Sequence, residues 1–305
     1  MRVVEVAAFG GPEALALAER PDPHAGRGQV LVRVRAANVN PTDLSVRDGS
    51  VVHRNPAVTP PVIPGWDLAG EVAEVGEGVS GLSVGQRVTG MVYWPATSGT
   101  VGAYSELVAI DADWVVPTPE GIDDATAATI PLNALTADQA LRIIDPQPGT
   151  TLLATGASGG VGAFGAQLAV QRGLRVIAQA GGGDEEFVAS LGVEEVLPRE
   201  ADLTAIDEVD NVLDAVPVGP VAATRLAHGG TAVFTRGVRE PPPEGRRFEV
   251  VLVKPDREAL QRVVADAADG LLATRVAQVL PFADAARAHE LVEAGGTRGK
   301  IVLVP

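Results

Sequence analysis

Apolar and polar positions change their spacing along the chain, and the change divides it. Near the start, Val30, Val32, Val34 and Ala36 alternate with Leu31, Arg33 and Arg35, the period of two expected of a half-buried strand. Apolar runs at Gly70–Val75, Arg87–Val92 and Tyr104–Ile110 follow, separated by turn-rich stretches such as Pro60-Pro61-Val62-Ile63-Pro64-Gly65 and Gly76-Glu77-Gly78. Short strands with Gly and Pro between them predict a small barrel or sandwich. From Ile122 to Ile143 the chain is rich in Ala and Thr and helical in pattern apart from Pro131. Strand and helix then alternate. Thr151–Thr155 is an apolar strand, Gly160–Arg172 a helix and Leu174–Gln179 a second strand; Asp184–Leu191 is a second helix and Glu194–Leu197 a short strand. Val209–Val216 and Thr231–Thr235 supply further buried strands, and the alternation predicts a parallel, doubly wound sheet. The tail reads as strand Glu249–Val253, helix Asp256–Asp269, strand Thr274–Leu280, helix Phe282–Ala294 stopped at Gly295, and strand Lys300–Val304. Pro241-Pro242-Pro243 predicts an exposed connector.

Composition narrows the chemistry more than the architecture. The 305 residues carry a net charge of −15, and the basic residues are scattered; Arg246-Arg247 is the one notable pair. Such a field repels a phosphate backbone, so no nucleic-acid partner is expected. No run approaches the roughly 18 apolar residues of a membrane span. The start, Met1-Arg2-Val3-Val4-Glu5-Val6, alternates like a strand and lacks a signal-peptide cleavage site, and a cytoplasmic protein is expected. Cysteine is absent, which removes disulfides, thiolate nucleophiles and every zinc site built on sulfur. His24, His53, His228 and His289 are too scattered for a metal site, and none is expected.

The densest chemical signal is Thr155-Gly156-Ala157-Ser158-Gly159-Gly160-Val161-Gly162, placed after a buried strand and before a helix. Glycines at 156, 159 and 162 suit a tight turn that a pyrophosphate approaches closely, with the N-terminus of the helix facing the phosphates. Gly156, Ser158, Gly159, Gly160 and Val161 are therefore expected to bind a dinucleotide. NAD sites place an acid at the end of the second strand for the ribose hydroxyls; here Gln179-Ala180-Gly181-Gly182-Gly183 stands there, with no acid before Asp184. Gly181 and Gly182 leave room for a 2′-phosphate, and NADPH is the expected cofactor. Arg199 is either the cation beside that phosphate or a solvated loop residue.

With these residues in place, the chain resembles the zinc-independent quinone oxidoreductase and enoyl reductase branch of the medium-chain dehydrogenase/reductase superfamily. The carriers are Ala37-Asn38-Val39-Asn40-Pro41-Thr42-Asp43, Pro64-Gly65-Trp66-Asp67-Leu68-Ala69-Gly70-Glu71-Val72, Gly85-Gln86-Arg87-Val88, Gly102-Ala103-Tyr104-Ser105-Glu106, the glycine turn, and Arg298-Gly299-Lys300-Ile301-Val302-Leu303-Val304. The resemblance implies an α/β fold in which a Rossmann domain, residues 121–254, is inserted into a GroES-like β-barrel catalytic domain, residues 1–120 and 255–305, with the active site in the cleft. It also implies a homodimer or homotetramer. Zinc-dependent relatives place Cys at the position of Asn40 and His at that of Trp66. The Asn40 amide is then either a contact to the nicotinamide ribose or substrate carbonyl, or a turn residue. Trp66 is either a wall of the substrate pocket or core, and Tyr93 and Trp94 are either pocket or packing residues. Thr136 is implied near the nicotinamide. Ser45 stands where many quinone reductases carry a Tyr, as a weaker proton donor. The implied activity is NADPH-dependent hydride transfer to a quinone or an α,β-unsaturated carbonyl; a dedicated enoyl reductase, or an NADPH-binding sensor without catalysis, are the other readings.

Overall fold

The computed structural model describes residues 1–53 and 55–305. In chain order the first elements are β1 (Arg2–Val6), β2 (Leu15–Glu19), β3 (Gln29–Asn38), α1 (Pro41–Arg47), β4 (Asp67–Val75), β5 (Arg87–Met91), β6 (Leu107–Asp111) and β7 (Val115–Pro117). They are followed by α2 (Asp124–Ala128), α3 (Pro131–Ile144), β8 (Thr151–Thr155), α4 (Gly160–Gln171), β9 (Arg175–Gln179), α5 (Glu185–Ser190), β10 (Glu195–Leu197), β11 (Val209–Asp214), β12 (Leu226–Phe234) and β13 (Arg247–Val250). The tail comprises α6 (Arg257–Ala268), β14 (Val276–Pro281), α7 (Ala285–Ala294) and β15 (Lys300–Val304).

These elements fall into two compact units. The first holds Met1–Leu132, Pro255–Asp269 and Arg275–Pro305; the second holds Asn133–Lys254 and Gly270–Thr274. In the first unit the sheet runs β14-β15-β3-β4-β5-β7, and β6 also pairs with β3. Strand β3 divides one edge between two partners: Gln29–Arg33 face β6, whereas Ala37 and Asn38 face β15. Register shifts against β4 between Leu31 and Val32 and between Val34 and Ala36 bend β3 as it changes partner, a device that curls a sheet toward a barrel. Val30, Val32, Val34 and Ala36 are buried and Arg33 and Arg35 exposed, as the alternation predicts.

In the second unit the sheet order is β10-β9-β8-β11-β12-β13, with every pairing parallel. Numbered within the unit, that is 3-2-1-4-5-6, the order of a dinucleotide-binding doubly wound sheet. The order reverses beside β8, which is buried at all five positions, and ligands of such sheets bind at the carboxyl end of that strand.

The boundary differs from the expected 120/121. Helix α2 packs on β3, β4 and β5, Thr89 Oγ1 donates to Ala127 O, and Arg87 holds both Asp124 and Ile122 O, so residues 121–132 belong with the first unit. Residues 270–274 go with the second unit because Gln167 clasps Ala273 at both its N–H and its carbonyl. The helix expected over 122–143 breaks at Thr129-Ile130, since Pro131 disfavours helix in the residue before it and then starts α3 as its first residue. Prolines 241–243 are exposed, and Gly295 ends α7 at φ 69°.

Candidate active site

The glycine turn of the second unit is shaped by what a side chain would strike. Gly156 has φ +65°, and a Cβ there would lie 2.5 Å from Val216 Cγ1. A Cβ on Gly162 would sit 2.2 Å from Gly156 O, so α4 approaches the turn only with glycine at that place. A Cβ on Gly160 would press on Asn133, at 2.3 Å from its Oδ1, and Thr136 lies one helical turn beyond Asn133 on α3. Gly159 differs: it is exposed, and a Cβ would meet only Gly156 O at 3.3 Å. It is the N-cap of α4 and supplies no side-chain cap, so the first N–H groups of the helix are left for an anion. A nucleotide pyrophosphate fits this open, glycine-walled place.

The end of β9 adds a second feature. Ser158 Oγ accepts the Gly181 N–H at 2.7 Å, and Arg199 Nη2 lies 3.1 Å from where a Gly181 Cβ would be. A Cβ on Gly182 would meet nothing within 4 Å. Gln179 holds the Arg199 carbonyl through its amide, which fixes the loop after β10. Ser158, Gly181 and Arg199, far apart in sequence, thus form one corner, with an exposed guanidinium and open space. Thr155 and Asp214, buried side by side at the ends of β8 and β11, brace the neighbouring loop: Thr155 Oγ1 donates to Asp214 Oδ1, and Gly219 N to Asp214 Oδ2 at 2.8 Å.

The first unit buries a polar cluster at the start of α1. Asp67 Oδ2 accepts from Asn40 Nδ2 at 2.8 Å and Asn38 Nδ2 at 3.0 Å, and Asp67 Oδ1 accepts Leu132 N at 2.7 Å. Asn40 Oδ1 accepts from Asn38 Nδ2 and from Lys300 Nζ, each at 2.9 Å. Asp43 takes the N–H of Asn40 and of Gly65, tying the loop before α1 to the loop before β4. The Tyr104 hydroxyl faces Asp43 and lies 3.1 Å from His289 Nε2. Burial raises the Asp43 carboxyl to about 7, with Asp67 adding to the rise, and raises Asp67 to about 6. Burial lowers Lys300 to about 8 against the pull of both carboxylates, and lowers His289 to about 3.

Asn40 stands at the N-cap of α1, 1 % exposed, with its side-chain oxygen and nitrogen bonded to Asn38, Lys300 and Asp67, so its amide ties this cluster together. Of the two readings of Trp94, packing agrees with its surroundings: it has no exposed surface and donates its indole N–H to Ile63 O at 2.8 Å. Trp66 is buried edge-on to Tyr93 with ring centroids 6.4 Å apart, and Tyr93 is partly exposed and edge-on to Trp114 at 6.0 Å. Ser45 lies partly exposed on α1. Asn38, Asp67 and Lys300 were not singled out for a role, although each lies in a quoted motif; only pairing of β15 with β3 brings Lys300 to Asn40. Among the described residues no cluster of His, Cys, Asp or Glu could hold a metal ion, and no helix is long and apolar enough to cross a membrane.

Known proteins resemble this chain along its whole length. Residues 26–120 match the alcohol dehydrogenase GroES-like domain, and residues 191–303 match the zinc-binding dehydrogenase family. The quinone oxidoreductase of Sus scrofa is 30% identical, over 100% of this chain and 98% of that protein. The chloroplastic NADPH-dependent alkenal/one oxidoreductase of Arabidopsis thaliana is 31% identical, over 97% of this chain and 78% of that protein. The structure of the quinone oxidoreductase from Coxiella burnetii superposes with a TM-score of 0.87 at 29% identity, covering 100% of this chain and 99% of that one. A GroES-like unit interrupted by a 3-2-1-4-5-6 parallel sheet, together with full-length similarity of this degree, places the chain in the medium-chain dehydrogenase/reductase superfamily, with the quinone oxidoreductases, as an oxidoreductase that binds a nicotinamide cofactor.

Proposed function

We propose that the protein reduces quinones or α,β-unsaturated carbonyl compounds with NADPH, working in the cytoplasm as a homodimer or homotetramer. The observation that carries the cofactor choice is the corner of Ser158, Gly181 and Arg199. A 2′-phosphate brings negative charge to the end of β9, where Arg199 offers a cation and no acidic side chain precedes Asp184. The open N-terminus of α4 would take the pyrophosphate and Arg199 the 2′-phosphate. When bound, the nicotinamide supplies the hydride.

The side chains of the first unit support the reaction type. Oxidising an alcohol requires a group that removes the hydroxyl proton or stabilises the alkoxide. Asn40 and Trp66 replace the sulfur and imidazole of the zinc-dependent relatives, and the Asp67 carboxylate is committed to three donors. An electron-poor quinone or enone needs no such base: the incoming hydride leaves a resonance-stabilised oxyanion that a neutral donor or water can hold. The relatives named for quinones and alkenals support this reading.

The test is oxidation of NADPH and NADH against a panel of quinones, enones and enoyl thioesters, with dissociation constants for both cofactors. Reduction of at least one quinone or activated alkene is expected, with simple primary alcohols near background. NADPH should bind more tightly than NADH, and Arg199→Glu should erode that preference at least tenfold, the equivalent of about 1.4 kcal/mol. Equal affinity for the two cofactors in the unmodified protein would refute the assignment of Arg199.

A further inference from the structure

Trp66 leaves its indole N–H without a partner. Five buried side-chain atoms share that state among the described residues, on Asn38, Arg47, Trp66, Thr118 and His289. Asn38, Arg47 and His289 bond through their other polar atoms. In Trp66 and Thr118 the orphan is the only polar atom of the side chain, and of the two only the indole is purely a donor. A stranded buried donor is costly, and native proteins rarely keep one without a reason. Trp94 shows the ordinary outcome in the same domain, with its N–H on Ile63 O.

The groups that flank Trp66 along the chain are engaged elsewhere. Its carbonyl takes Val92 N at 2.6 Å, the preceding Gly65 N is held by Asp43, and the following Asp67 carries three donors. The ring is only 8 % exposed, and its neighbour is the edge of Tyr93. Tyr93 is partly exposed, in the loop just after β5, so it is the more accessible ring of the pair. An aromatic corner with one unpaired donor suits a flat conjugated ring that bears a carbonyl.

We infer that the Trp66 indole N–H is the hydrogen-bond donor to the carbonyl oxygen of a ring-conjugated acceptor lodged against Trp66 and Tyr93. This rests on the reductase reading above and names the group that holds the oxyanion. In the reduction of an enone, the β-carbon gains a hydride from NADPH, the C=C π pair shifts, and the carbonyl oxygen becomes an enolate oxygen. A proton from water completes the product, and NADPH is oxidised to NADP⁺. The indole keeps its proton throughout, because it is far too weak an acid to release it. Its hydrogen bond shortens as charge grows on oxygen, and it therefore favours the transition state over the bound acceptor.

The protein has three tryptophans, so its ¹⁵N-indole spectrum should contain three cross-peaks, and Trp66→Phe identifies that of Trp66. With NADP⁺ present and no hydride to transfer, added 1,4-naphthoquinone should move the Trp66 Nε1–H signal downfield and leave that of Trp94 in place. Naphthalene, which has no carbonyl, should not. Trp66→Phe keeps an aromatic ring against Tyr93 and removes only the donor. It should lower kcat with naphthoquinone by about 10²-fold, as loss of a single oxyanion donor does, with NADPH affinity and thermal midpoint kept. If the unmodified protein reduces naphthoquinone while the Trp66 signal stays still, or Trp66→Phe retains full kcat, the inference is overturned and the reductase reading stands. If the unmodified protein reduces no quinone or enone, that reading fails and takes the inference with it.

Discussion

Four ionisable residues of the first unit, the buried Asp43, Asp67 and His289 and the half-buried Lys300, make its stability depend on pH in opposing directions. For His289 the unfolded chain titrates near 6.5 and the folded one near 3, so below pH 6.5 the unfolded chain gains a proton that the native state refuses. Its contribution is lost as pH falls through that window. Asp43 and Asp67 act the other way: the native state retains protons that the unfolded chain gives up near 3.8, and the resulting penalty grows with pH until it is complete at about 7 and about 6. Comparison with His289→Gln isolates the imidazole. Between pH 7 and pH 5 the stability advantage of the unmodified protein over this variant should shrink by about 2 kcal/mol, at 1.36 kcal/mol per pH unit below 6.5. Urea unfolding at the two pH values measures it, and an unchanged gap would mean that His289 is charged in the native protein. At this scale Asn40 and Trp66 could be located from their motifs, but not what they touch. Asn40 meets Lys300 across 260 positions of chain, a distance that no local pattern spans.

The glycine turn was legible because its requirement is local. A strand, a turn free of Cβ and a helix N-terminus occupy consecutive residues, and the steric reasons lie within that stretch and its neighbours. Two of its glycines should nevertheless fail differently. Gly159→Glu is exposed and meets a single contact, Gly156 O at 3.3 Å, which a small shift of the neighbour relieves, so the thermal midpoint should be largely kept while the added bulk and negative charge abolish NADPH binding. Gly162→Ala forces a methyl group into the Gly156 carbonyl and should cost about 1–3 kcal/mol of stability or more. Thermal melts paired with NADPH titration separate the two; undiminished NADPH affinity in Gly159→Glu would remove the pyrophosphate assignment. Helix ends were less legible. The tail helix expected from Phe282 begins as a 3₁₀ turn over Phe282–Asp284 before α7 starts at Ala285, and the strand expected at Glu249–Val253 is β13, Arg247–Val250. Periodicity locates an element, whereas its last residues depend on which neighbour offers hydrogen bonds.

At the scale of the whole chain, β13 ends the parallel sheet among the described residues, and Val250 at its end and Leu252 just after it are 38% and 71% exposed. An uncovered edge with apolar side chains is a place for a second copy. Light scattering at micromolar concentration should give a dimer or tetramer mass, and Leu252→Lys should shift it toward monomer; a monomer in the unmodified protein would refute the oligomer. The amino-acid sequence alone determined the two-part architecture, the glycine turn between a buried strand and a helix, the absence of cysteine and the family, because each depends on composition, on spacing within a few residues, or on ordered motifs. Only the tertiary structure decided which amides and carboxylates are committed to one another, that Arg199 meets Gly181, that residues 121–132 pack on the first unit, and that the Trp66 N–H is stranded. Those facts arise from strand pairing and side-chain packing between distant segments, where the partner of a group is set by the fold and not by its neighbours in the chain.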